Sequence, residues 1–563
     1  MQEAPPPRPA LLGIDLGTTN SLIAVWLDGR AQLIPNALGE VLTPSVVSLD
    51  EDDSILIGKA ARARLTTHPE RTVAAFKRFM GTDKRFELGR RQFSPEELSA
   101  LVIGSLKQDA EAWLGHPVHE TVISVPAYFS DEQRKRTLFA AELAGLSVSR
   151  LINEPTAAAM AYGLHKQKSE RTLIFDLGGG TFDVTVLEYA LPLIEVHAST
   201  GDNFLGGEDF TAALLQACLK NWQLSPQMVD AQGLASLEDA LEQLKCKLTE
   251  GAQHLKWKGN GEFHEWSVDE TCALKIWEPL LTRLRAPIEQ ALRDARLKPQ
   301  DLDSLVLVGG ATRMPVVKQI VAKLFGRLPY SHLDPDTIVA LGAATQAACK
   351  ARDGAIEELI LTDVCPYTLG ISTSRGRDVS GAFSPIIERN TVIPTSRVQR
   401  FYTTHPKQDQ IRIAVYQGER PWVKDNIFIE AIDIAMAPSE QTQELDVRFS
   451  YDINGLLEVD VTFLNSGERY NHNIDRSPTG LDQQSRQKSH ERLTSLKIHP
   501  RDALPNRTLL ARLERAWIQS LSKDREQIAE WLDAFTAVLG GQQSDEIASH
   551  RIRLNKTLDQ LGL

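Results

Sequence analysis

The chain has 563 residues and a formal net charge of −12, and it is 42% hydrophobic and 24% charged. This length exceeds what one hydrophobic core supports, so we expect two to four domains. The negative charge argues against a nucleic-acid-binding protein, because phosphate contacts need a basic surface. No apolar stretch approaches the roughly 20 residues that span a bilayer, which argues against a membrane protein.

Residues 1–10, MQEAPPPRPA, lack the basic start and the apolar segment of a secretory signal, and their prolines predict a disordered tail. The five cysteines are odd in number, scattered and without CxxC spacing: Cys218, Cys246, Cys272, Cys349 and Cys365. They indicate reduced thiols, with neither a zinc site nor a disulfide framework. We therefore expect a cytoplasmic protein.

Residues 11–355 alternate short apolar strands with amphipathic helical stretches, the pattern of an α/β domain. Within them, residues 15–19 (DLGTT) and 176–181 (DLGGGT) share one pattern. Each segment follows an apolar run and contains an aspartate, then glycine, then threonine. Glycine lets backbone N–H groups approach phosphate oxygens, and the aspartate can hold the hydrated Mg²⁺ that accompanies them. Either loop alone could be an ordinary glycine turn. The pair favours one nucleotide gripped by both halves of a duplicated chain.

The character of the sequence changes after residue 355. Residues 356–365 form a short acidic and apolar linker that ends at a proline. In residues 366–476, apolar residues at every second position flank Asn454-Gly455, which predicts an all-β domain with a tight hairpin. From about residue 481 the apolar period becomes helical, so residues 477–563 are expected to form a small helical bundle.

Six segments carry a family resemblance: GIDLGTTNS (13–21), VPAYFSDEQR (125–134), INEPTAAAMAYG (152–163), DLGGGTFDV (176–184), LEQLKCKLT (241–249) and VLVGGATRMP (306–315). In this order they resemble the DnaK-like 70-kDa heat-shock chaperones over roughly residues 11–480, and among these the HscC branch most. The resemblance implies an actin-like ATPase domain with duplicated ribonuclease H-like halves, a β-sandwich peptide-binding domain and a short α-helical lid.

The resemblance also implies roles in ATP hydrolysis. Asp15 and Asp176 would orient Mg²⁺ through its waters, and Lys77, in FKRFMG, would bind the γ-phosphate and help to place the attacking water. Glu154 would sense the metal or the water, Thr181 would approach the γ-phosphate from the second loop, and Asp183 would act near the nucleophile. The phosphates would be held by Gly17, Thr18, Thr19, Asn20, Gly178, Gly179 and Gly180. K⁺ is an additional candidate ion. Local sequence alone would place Lys77 on a solvated helix face.

For the remainder of ATP or ADP, the resemblance implies contacts from Gly206, Gly207, Glu208, Glu242, Lys245, Thr249, Gly309, Gly310, Arg313 and Asp336. Arg313 could stack its guanidinium on adenine. Cys246 stands where relatives usually carry a second arginine, which would remove one face of that stack. Without the resemblance, residues 242–249 would be a charged helix face with an i, i+3 pair.

Interdomain switching would run through Pro126, Arg134, Arg150 and Asp363. Unfolded or extended peptides would bind in a cleft formed by Ile371, Thr373, Ser374, Phe401, Thr404, Ile411 and Ile413, although some of these must also serve a sandwich core. A J-domain cochaperone is an expected partner, and a nucleotide exchange factor is left open because residues 253–275 are shortened. Two alternatives are a nucleotide-gated scaffold for a folded partner and a kinase of the same fold.

Overall fold

The computed structural model describes residues 10–163, 169–190, 192–259, 261–330, 333–353, 359–375, 379–473, 483–494, 496–498, 504–520, 522–540 and 544–563. Residues 1–9 of the predicted tail and residues 356–358 of the predicted linker lie outside this set. Within the described part of the chain, none of the helices has the length and apolar character needed to cross a membrane.

The first 364 residues carry eighteen described strands and nine described α-helices. The strands are β1 (Leu11–Asp15), β2 (Asn20–Leu27), β3 (Arg30–Leu33), β4 (Thr43–Pro44), β5 (Val47–Leu49), β6 (Ser54–Ile57), β7 (Thr72–Val73), β8 (Phe86–Leu88), β9 (Arg91–Phe93), β10 (Glu120–Val125), β11 (Ser147–Asn153), β12 (Glu170–Leu177), β13 (Phe182–Ala190), β14 (Leu193–Asp202), β15 (Gln253–Gly259), β16 (Glu262–Val268), β17 (Ser304–Val308) and β18 (Ile360–Val364). The helices are α1 (Lys59–Ala63), α2 (Pro95–Leu114), α3 (Asp131–Leu143), α4 (Glu154–Gly163), α5 (Gly207–Asn221), α6 (Ala231–Lys247), α7 (Glu270–Asp294), α8 (Pro315–Phe325) and α9 (Ile338–Lys350).

Two six-stranded sheets organise this part of the chain. One runs β11-β10-β1-β2-β3, with β4 paired to β2, and the other begins β17-β12-β13-β14. In each sheet a central strand pairs antiparallel with the next strand and parallel with a later one: β1 with β2 and β10, β12 with β13 and β17. This repeated arrangement confirms the predicted α/β fold class with two related halves, which we call lobe I (β1 side) and lobe II (β12 side).

Local sequence explains where two helices of lobe I begin. Ser94 and Ser130 each accept the N3 backbone N–H of the following helix, and the N3 Glu97 and Gln133 side chains return the bond. Such reciprocal bonds satisfy N–H groups that have no partner inside the helix. They fix the starts of α2 and α3, and α3 carries side chains that reach the second domain.

The middle of the chain is a β-sandwich of two four-stranded sheets. The eight strands of these sheets are β19 (Leu369–Arg375), β20 (Val379–Ile387), β22 (Thr395–Tyr402), β23 (Gln410–Gln417), β24 (Ile427–Ala435), β25 (Glu444–Tyr451), β26 (Leu457–Phe463) and β27 (Arg469–Asn473). A short strand, β21 (Val392–Ile393), precedes β22 in the chain and belongs to neither sheet. The sheet orders are β20-β19-β23-β24 and β22-β25-β26-β27. The alternating residues of β25 and β26 fill the core between them, as the pattern predicts.

The predicted linker is a strand in this structure. Leu193 to Glu195 of β14 pair in parallel with Ile360 to Thr362 of β18. On its other edge, Asp363 and Val364 pair with β21 of the sandwich. The sheet of lobe II therefore continues through the linker into the β domain.

The C-terminal region is helical, as predicted. It contains α10 (Gln483–Thr494), a short strand β28 (Lys497–Ile498), α11 (Leu504–Gln519), α12 (Ser522–Gly540) and α13 (Ser544–Leu561). The last three helices share an apolar core that includes Leu513, Phe535 and Leu558. They do not stand apart, because β28 pairs with β6 of lobe I and α11 packs on α1.

Candidate active site

The two glycine loops, one from each lobe, are in contact. A Cβ added to Gly179 would lie 1.9 Å from Thr19 Oγ1, and one added to Gly180 would lie 2.9 Å from Thr18 Cγ2. In the first loop, a Cβ on Gly17 would lie 2.0 Å from the Asn20 carbonyl oxygen. Because a side chain at these positions would collide, glycine is needed for the two loops to meet.

A third backbone segment lies against the second loop. Gly207 donates its N–H to the Gly178 carbonyl at 2.9 Å, and Glu208 donates to the Gly179 carbonyl at 2.9 Å. A Cβ on Gly206 would lie 2.4 Å from the Gly179 carbonyl oxygen. The predicted phosphate and cofactor glycines of lobe II are thus one packed unit.

Four carboxyl groups surround one buried ammonium beside these loops. Burial, followed by the charge of Glu154, raises the pKa of Asp15 to about 7 and that of Asp183 to about 7. The same causes raise the pKa of Asp176 well above its ordinary value. Lys77 Nζ donates to Glu154 Oε1 at 2.8 Å. The cluster therefore contains more carboxyl groups than Lys77 could balance if all of them were ionised, and burial favours their protonated forms.

This donor set fits a hydrated divalent cation. Asp15 Oδ1 accepts from Ser124 Oγ at 2.9 Å, which orients the carboxylate, and Asp176 Oδ2 is buried without a hydrogen-bond partner in the described residues. Carboxylate oxygens are ligands that Mg²⁺ prefers, often through retained waters. In the described ranges no group of three His, Cys, Asp or Glu side chains is placed to hold an ion directly. The arrangement suits a metal contacted through water.

Lys77 and Arg78 share a short 3-10 helix, Phe76–Phe79, and point in different directions. Lys77 is only 3% exposed, so the solvated helix face suggested by local sequence is wrong for this residue. Arg78 donates to both carboxylate oxygens of Asp209 at 3.1 Å and lies 3.5 Å from Glu208. Since the two carboxylates begin α5 of lobe II, Arg78 ties the lobes together.

Thr181 closes the second loop from its far side. It is buried, and its carbonyl accepts the Gly178 N–H at 3.1 Å. Thr18 is also buried at the first loop. Thr18 lies against Gly180 of the other lobe, whereas the Thr181 bond stays within its own loop.

The predicted adenosine residues on α6 form a local network. Glu242 accepts from Lys245 Nζ at 2.7 Å and from the Thr211 hydroxyl, and Lys245 also donates to the Gly207 carbonyl at 2.8 Å. The i, i+3 pair therefore exists and also connects α6 to the glycine segment. Cys246 is exposed, with Sγ 3.7 Å from Glu242 Oε1. The Thr249 side chain lies outside the described residues.

The other predicted adenosine residues follow β17. Gly309 has φ of 82°, and a Cβ there would lie 2.4 Å from the Leu177 carbonyl oxygen. Arg313 Nη2 lies 2.5 Å from Asp334 Oδ1 and 2.7 Å from Asp336 Oδ2. These carboxylates hold a guanidinium that is 54% exposed, next to Gly310, whose added Cβ would meet Asp336 at 2.8 Å.

A hydrogen-bonded path leads from Asp183 to α3. The N–H groups of Ala127 and Tyr128, just after Pro126, donate to Asp183 at 3.2 Å each. Arg134 Nη2 donates to the Ala127 carbonyl at 3.1 Å. The predicted switch residues Pro126 and Arg134 are therefore next to a carboxylate of the cluster.

Arg134 also reaches the β domain. Its Nη1 lies 3.4 Å from the Asn454 carbonyl, and Asn454 Oδ1 accepts the Leu151 N–H at 3.1 Å. Next to this turn, the Leu457 N–H donates to Asp131 Oδ1 at 3.3 Å. The Asn454-Gly455 hairpin, predicted only as a turn, is a domain contact.

Asp363 of the linker strand is held by lobe I. Its Oδ2 accepts from Asn153 Nδ2 at 2.8 Å and from Thr156 Oγ1 at 2.9 Å, while Asn153 Oδ1 accepts from Arg134 at 2.7 Å. Arg150 is nearby: burial lowers its pKa, and the negative charge of Asp363 opposes that shift. Three of the predicted switch residues therefore belong to one network.

Two further contacts join the domains. The Tyr367 hydroxyl donates to the Tyr128 carbonyl at 2.9 Å, and the two rings are 4.2 Å apart. On the other side, Arg389 makes bonds of 2.9 and 3.0 Å to Asp294, the last residue of α7, and Asn390 adds one of 3.0 Å. In each contact the two partners are far apart in the sequence.

The predicted peptide residues divide into two groups. Ile371 and Ile413 are buried in the sandwich core, and Phe401 and Ile411 are partly buried against it. The other three lie nearer the surface: Thr373, which donates to the Ala382 carbonyl at 3.3 Å, exposed Ser374 and exposed Thr404. Pairing between β19 and β23 ends at Ile371 although both strands continue. The edge of β19 past Ile371 is therefore unpaired on that side within the described residues.

The fold and this site define a two-lobed nucleotide-dependent enzyme that is joined by a strand to a β-sandwich and a helical region. A family model described as Hsp70 protein matches residues 11–88 and 83–530. The chain is 41% identical over 476 residues to chaperone protein DnaK from Thermotoga petrophila, from Thermotoga sp. (strain RQ2) and from Thermotoga neapolitana, covering 81% of this chain and 79% of each relative.

The chain belongs to the Hsp70 family. It is an ATP-dependent chaperone with ATPase activity. Members of this family in general use ATP and ADP with a divalent metal, and they bind unfolded peptides and J-domain cochaperones. Nothing in the comparisons supports the kinase alternative.

Several residues of this network escaped the sequence reasoning. Arg78 was passed over beside Lys77, and its partner Asp209 is 131 positions away. Tyr128 and Asn153 lie inside quoted motifs, but their contacts depend on chain segments about 200 residues further on. Only the presence of a polar side chain inside each motif was available as a signal.

Proposed function

We propose that this chain hydrolyses ATP between the two glycine loops and uses the hydrolysis to control peptide binding by the β domain. The observation that carries the proposal is the buried cluster of Asp15, Asp176, Asp183 and Glu154 around Lys77, directly beside loops from both lobes. Carboxyl groups that outnumber the ammonium, next to backbone N–H groups, suit a site that takes up a metal together with phosphates.

A bound divalent ion, for which we propose Mg²⁺ held through water by Asp15 and Asp176, would neutralise phosphate charge. Lys77 adds a positive charge beside the γ-phosphate, and its bond to Glu154 fixes its direction. The amides of Gly179 and Gly180 bind phosphate oxygens, and the Gly178 N–H, bonded to the Thr181 carbonyl, holds the loop in shape. Asp183, held by two backbone N–H groups, orients the attacking water. K⁺ is proposed as an additional ion.

The adenosine end of the nucleotide is proposed to contact the α6 network and the segment after β17. Glu242 and Lys245 are already ordered by their mutual bond, and Arg313 is held by Asp336 with half of its surface exposed. An ordered, partly exposed guanidinium can stack on a flat base with little further loss of side-chain freedom. Because α6 carries Cys246 where a second cation would stack, Arg313 is the one cation that covers the base.

Coupling between hydrolysis and peptide binding is proposed to follow the bonds from Asp183 through Ala127 to Arg134, and from there to Asn454 and Asp363. These bonds exist with the domains docked. A change in the position of Asp183 would be transmitted to both the sandwich and the linker strand, since each shares a bond with Arg134 or its partner Asn153.

Extended apolar peptides are proposed to bind at the part of β19 past Ile371, which has no strand partner on that side among the described residues, while Ile411 and Phe401 are partly buried against the same sandwich core. The proposal includes a specific J-domain partner at the Arg150 and Asp363 region, a cytoplasmic location and membership of the HscC branch with a role in the stress response. We also propose these domain boundaries: the ATPase domain at residues 11–355, the linker at 356–365, the β domain at 366–476 and the helical region at 477–563.

Replacing Lys77 by alanine tests the proposal. Loss of one positioned charge should lower the single-turnover rate of phosphate release about 10²- to 10³-fold. Lys107→Ala is the matched control, because Lys107 is on α2 and donates to the Gly145 carbonyl in an exposed contact. Hydrolysis by Lys77→Ala at the control rate would remove Lys77 from the mechanism.

Binding of a fluorescent extended peptide, measured with and without ATP, separates peptide capture from the scaffold alternative.

A further inference from the structure

Helix α11 lies across the opening between the two lobes. One of its faces packs on α1 of lobe I, and its last turn reaches α6 of lobe II. These two helices form the rims of the cleft, since α6 carries the proposed adenosine residues and α1 lies in the opposite lobe. We call α11 and its contacts to both rims the strap.

The lobe I anchor of the strap is partly apolar and partly ionic. Leu504 packs against a buried cluster that includes Ala60 and Ala61 of α1. Arg507 Nη2 lies 3.3 Å from Asp50 Oδ2, and this carboxylate also pairs with Arg64 at 2.9 Å. Because Asp50 is 8% exposed, the ion pair is shielded from salt more than a surface pair would be.

The lobe II anchor is a single carboxylate that receives two donors from α11, besides the Gln243 amide of its own helix. Asp239 Oδ2 accepts from Arg515 Nη2 and from Gln519 Nε2, the latter at 3.1 Å. The side chains of Arg515 and Asp239 are 20% and 14% exposed. Asp239 lies three positions before Glu242 on α6, so this anchor is one helical turn from the proposed adenosine contact.

The strap is held rigid by the helices behind it. Leu509, Leu513 and Ala516 of α11 are buried in a core shared with α12 and α13, which includes Phe535 and Leu558. Its two ionic anchors, Arg507 and Arg515, are eight positions apart, which is about 12 Å along a helix. A rigid element bonded to both rims resists their separation over that distance.

We propose that the strap retards nucleotide release by holding the two rims together, so that the C-terminal region controls nucleotide exchange. The inference rests on the proposed function in that the cleft between the loops holds the nucleotide. Contacts to that nucleotide come from both lobes, so its exit requires the rims to move apart. Breaking the lobe II anchor then lowers the barrier to release.

The test measures release of a fluorescent, non-hydrolysable ATP analogue from the full chain after a chase with excess unlabelled ATP. Arg515→Ala should release it about tenfold faster, equivalent to about 1.4 kcal/mol in the barrier. Arg512→Ala is the matched control, because Arg512 is on the same helix but bonds Asn555 and Asp559 of α13. Asp239→Arg combined with Arg515→Asp should restore slow release.

Hydrogen exchange of the α6 amides without nucleotide provides an independent measurement. Arg515→Ala should increase the exchange rate of the α6 amides, whereas Arg512→Ala should leave that rate unchanged. If the analogue binds but leaves at the same rate from Arg515→Ala and wild type, or if α6 exchange is unchanged, the strap is refuted. If the analogue does not bind while α6 exchange responds, the contact stands and the proposed nucleotide site fails.

Discussion

Replacing Tyr367 by phenylalanine should loosen domain docking by a small, calculable amount. The substitution keeps the ring, which lies 4.2 Å from the Tyr128 ring, and removes only the hydroxyl that donates to the Tyr128 carbonyl. That carbonyl still accepts from Asn203 Nδ2 at 2.9 Å, so it is not left unsatisfied. The expected loss is the net value of one hydrogen bond, about 0.5–1.5 kcal/mol. This corresponds to a shift of about two- to tenfold in the docking equilibrium.

Hydrogen exchange of the linker strand Ile360–Val364 measures this shift, because its amides are protected only while β18 is paired. Exchange should accelerate by the same two- to tenfold factor in the full chain with ATP bound. Tyr470→Phe is the control, since that hydroxyl donates to the Ala435 carbonyl inside the sandwich. Unchanged exchange in Tyr367→Phe, or an equal change in the control, would refute the reasoning. A much larger change would show that the ring contact depends on the hydroxyl.

Three other predictions follow from the site and the sandwich. Gly179→Ala should abolish measurable nucleotide binding in a calorimetric titration, because the new Cβ would stand 1.9 Å from Thr19 Oγ1; wild-type affinity would show that the loops need not touch. Ile413→Ala should cost about 2–5 kcal/mol of β-domain stability in denaturant unfolding, since the side chain is 2% exposed, and a loss under 1 kcal/mol would place it in an open cleft. The raised pKa of Asp15, about 7 against 3.8, means that the folded state binds the extra proton, so stability should fall as pH rises from about 4 to 7. The thermal midpoint of the nucleotide-free chain should follow that slope, and Asp15→Asn, which keeps an acceptor for Ser124, should flatten it; an equally steep slope in the variant would contradict the assignment.

Local sequence patterns were sufficient to predict a structural feature where the residues that determine it lie in one stretch of the chain. The alternation around Asn454-Gly455 predicted a hairpin, and β25 and β26 pair on either side of it, with Tyr451 opposite Leu457. The two glycine loops were recognisable because their residue types are dictated by close approach of backbone. The fold class and the family followed from the order of such segments.

What could not be predicted is the part that depends on docking between distant segments. The contact between Arg134 and Asn454 spans 320 positions, and that between Arg515 and Asp239 spans 276. Nothing in the local sequence marks either contact, because arginine and aspartate side chains on helices are usually at the surface. The sequence reasoning expected a small helical bundle but had no means of placing it over the cleft.

The linker strand has a further consequence for the solubility of the undocked chain. While β18 is paired on both sides, the backbone edges of β14 and of β21 are covered. Removing it would uncover a backbone edge at Leu193 to Glu195 and another at Val392, which is already 45% exposed. Uncovered edges are where chains pair with one another and aggregate. Each release of the linker therefore carries an aggregation hazard for the chaperone itself, limited by the short length of both edges.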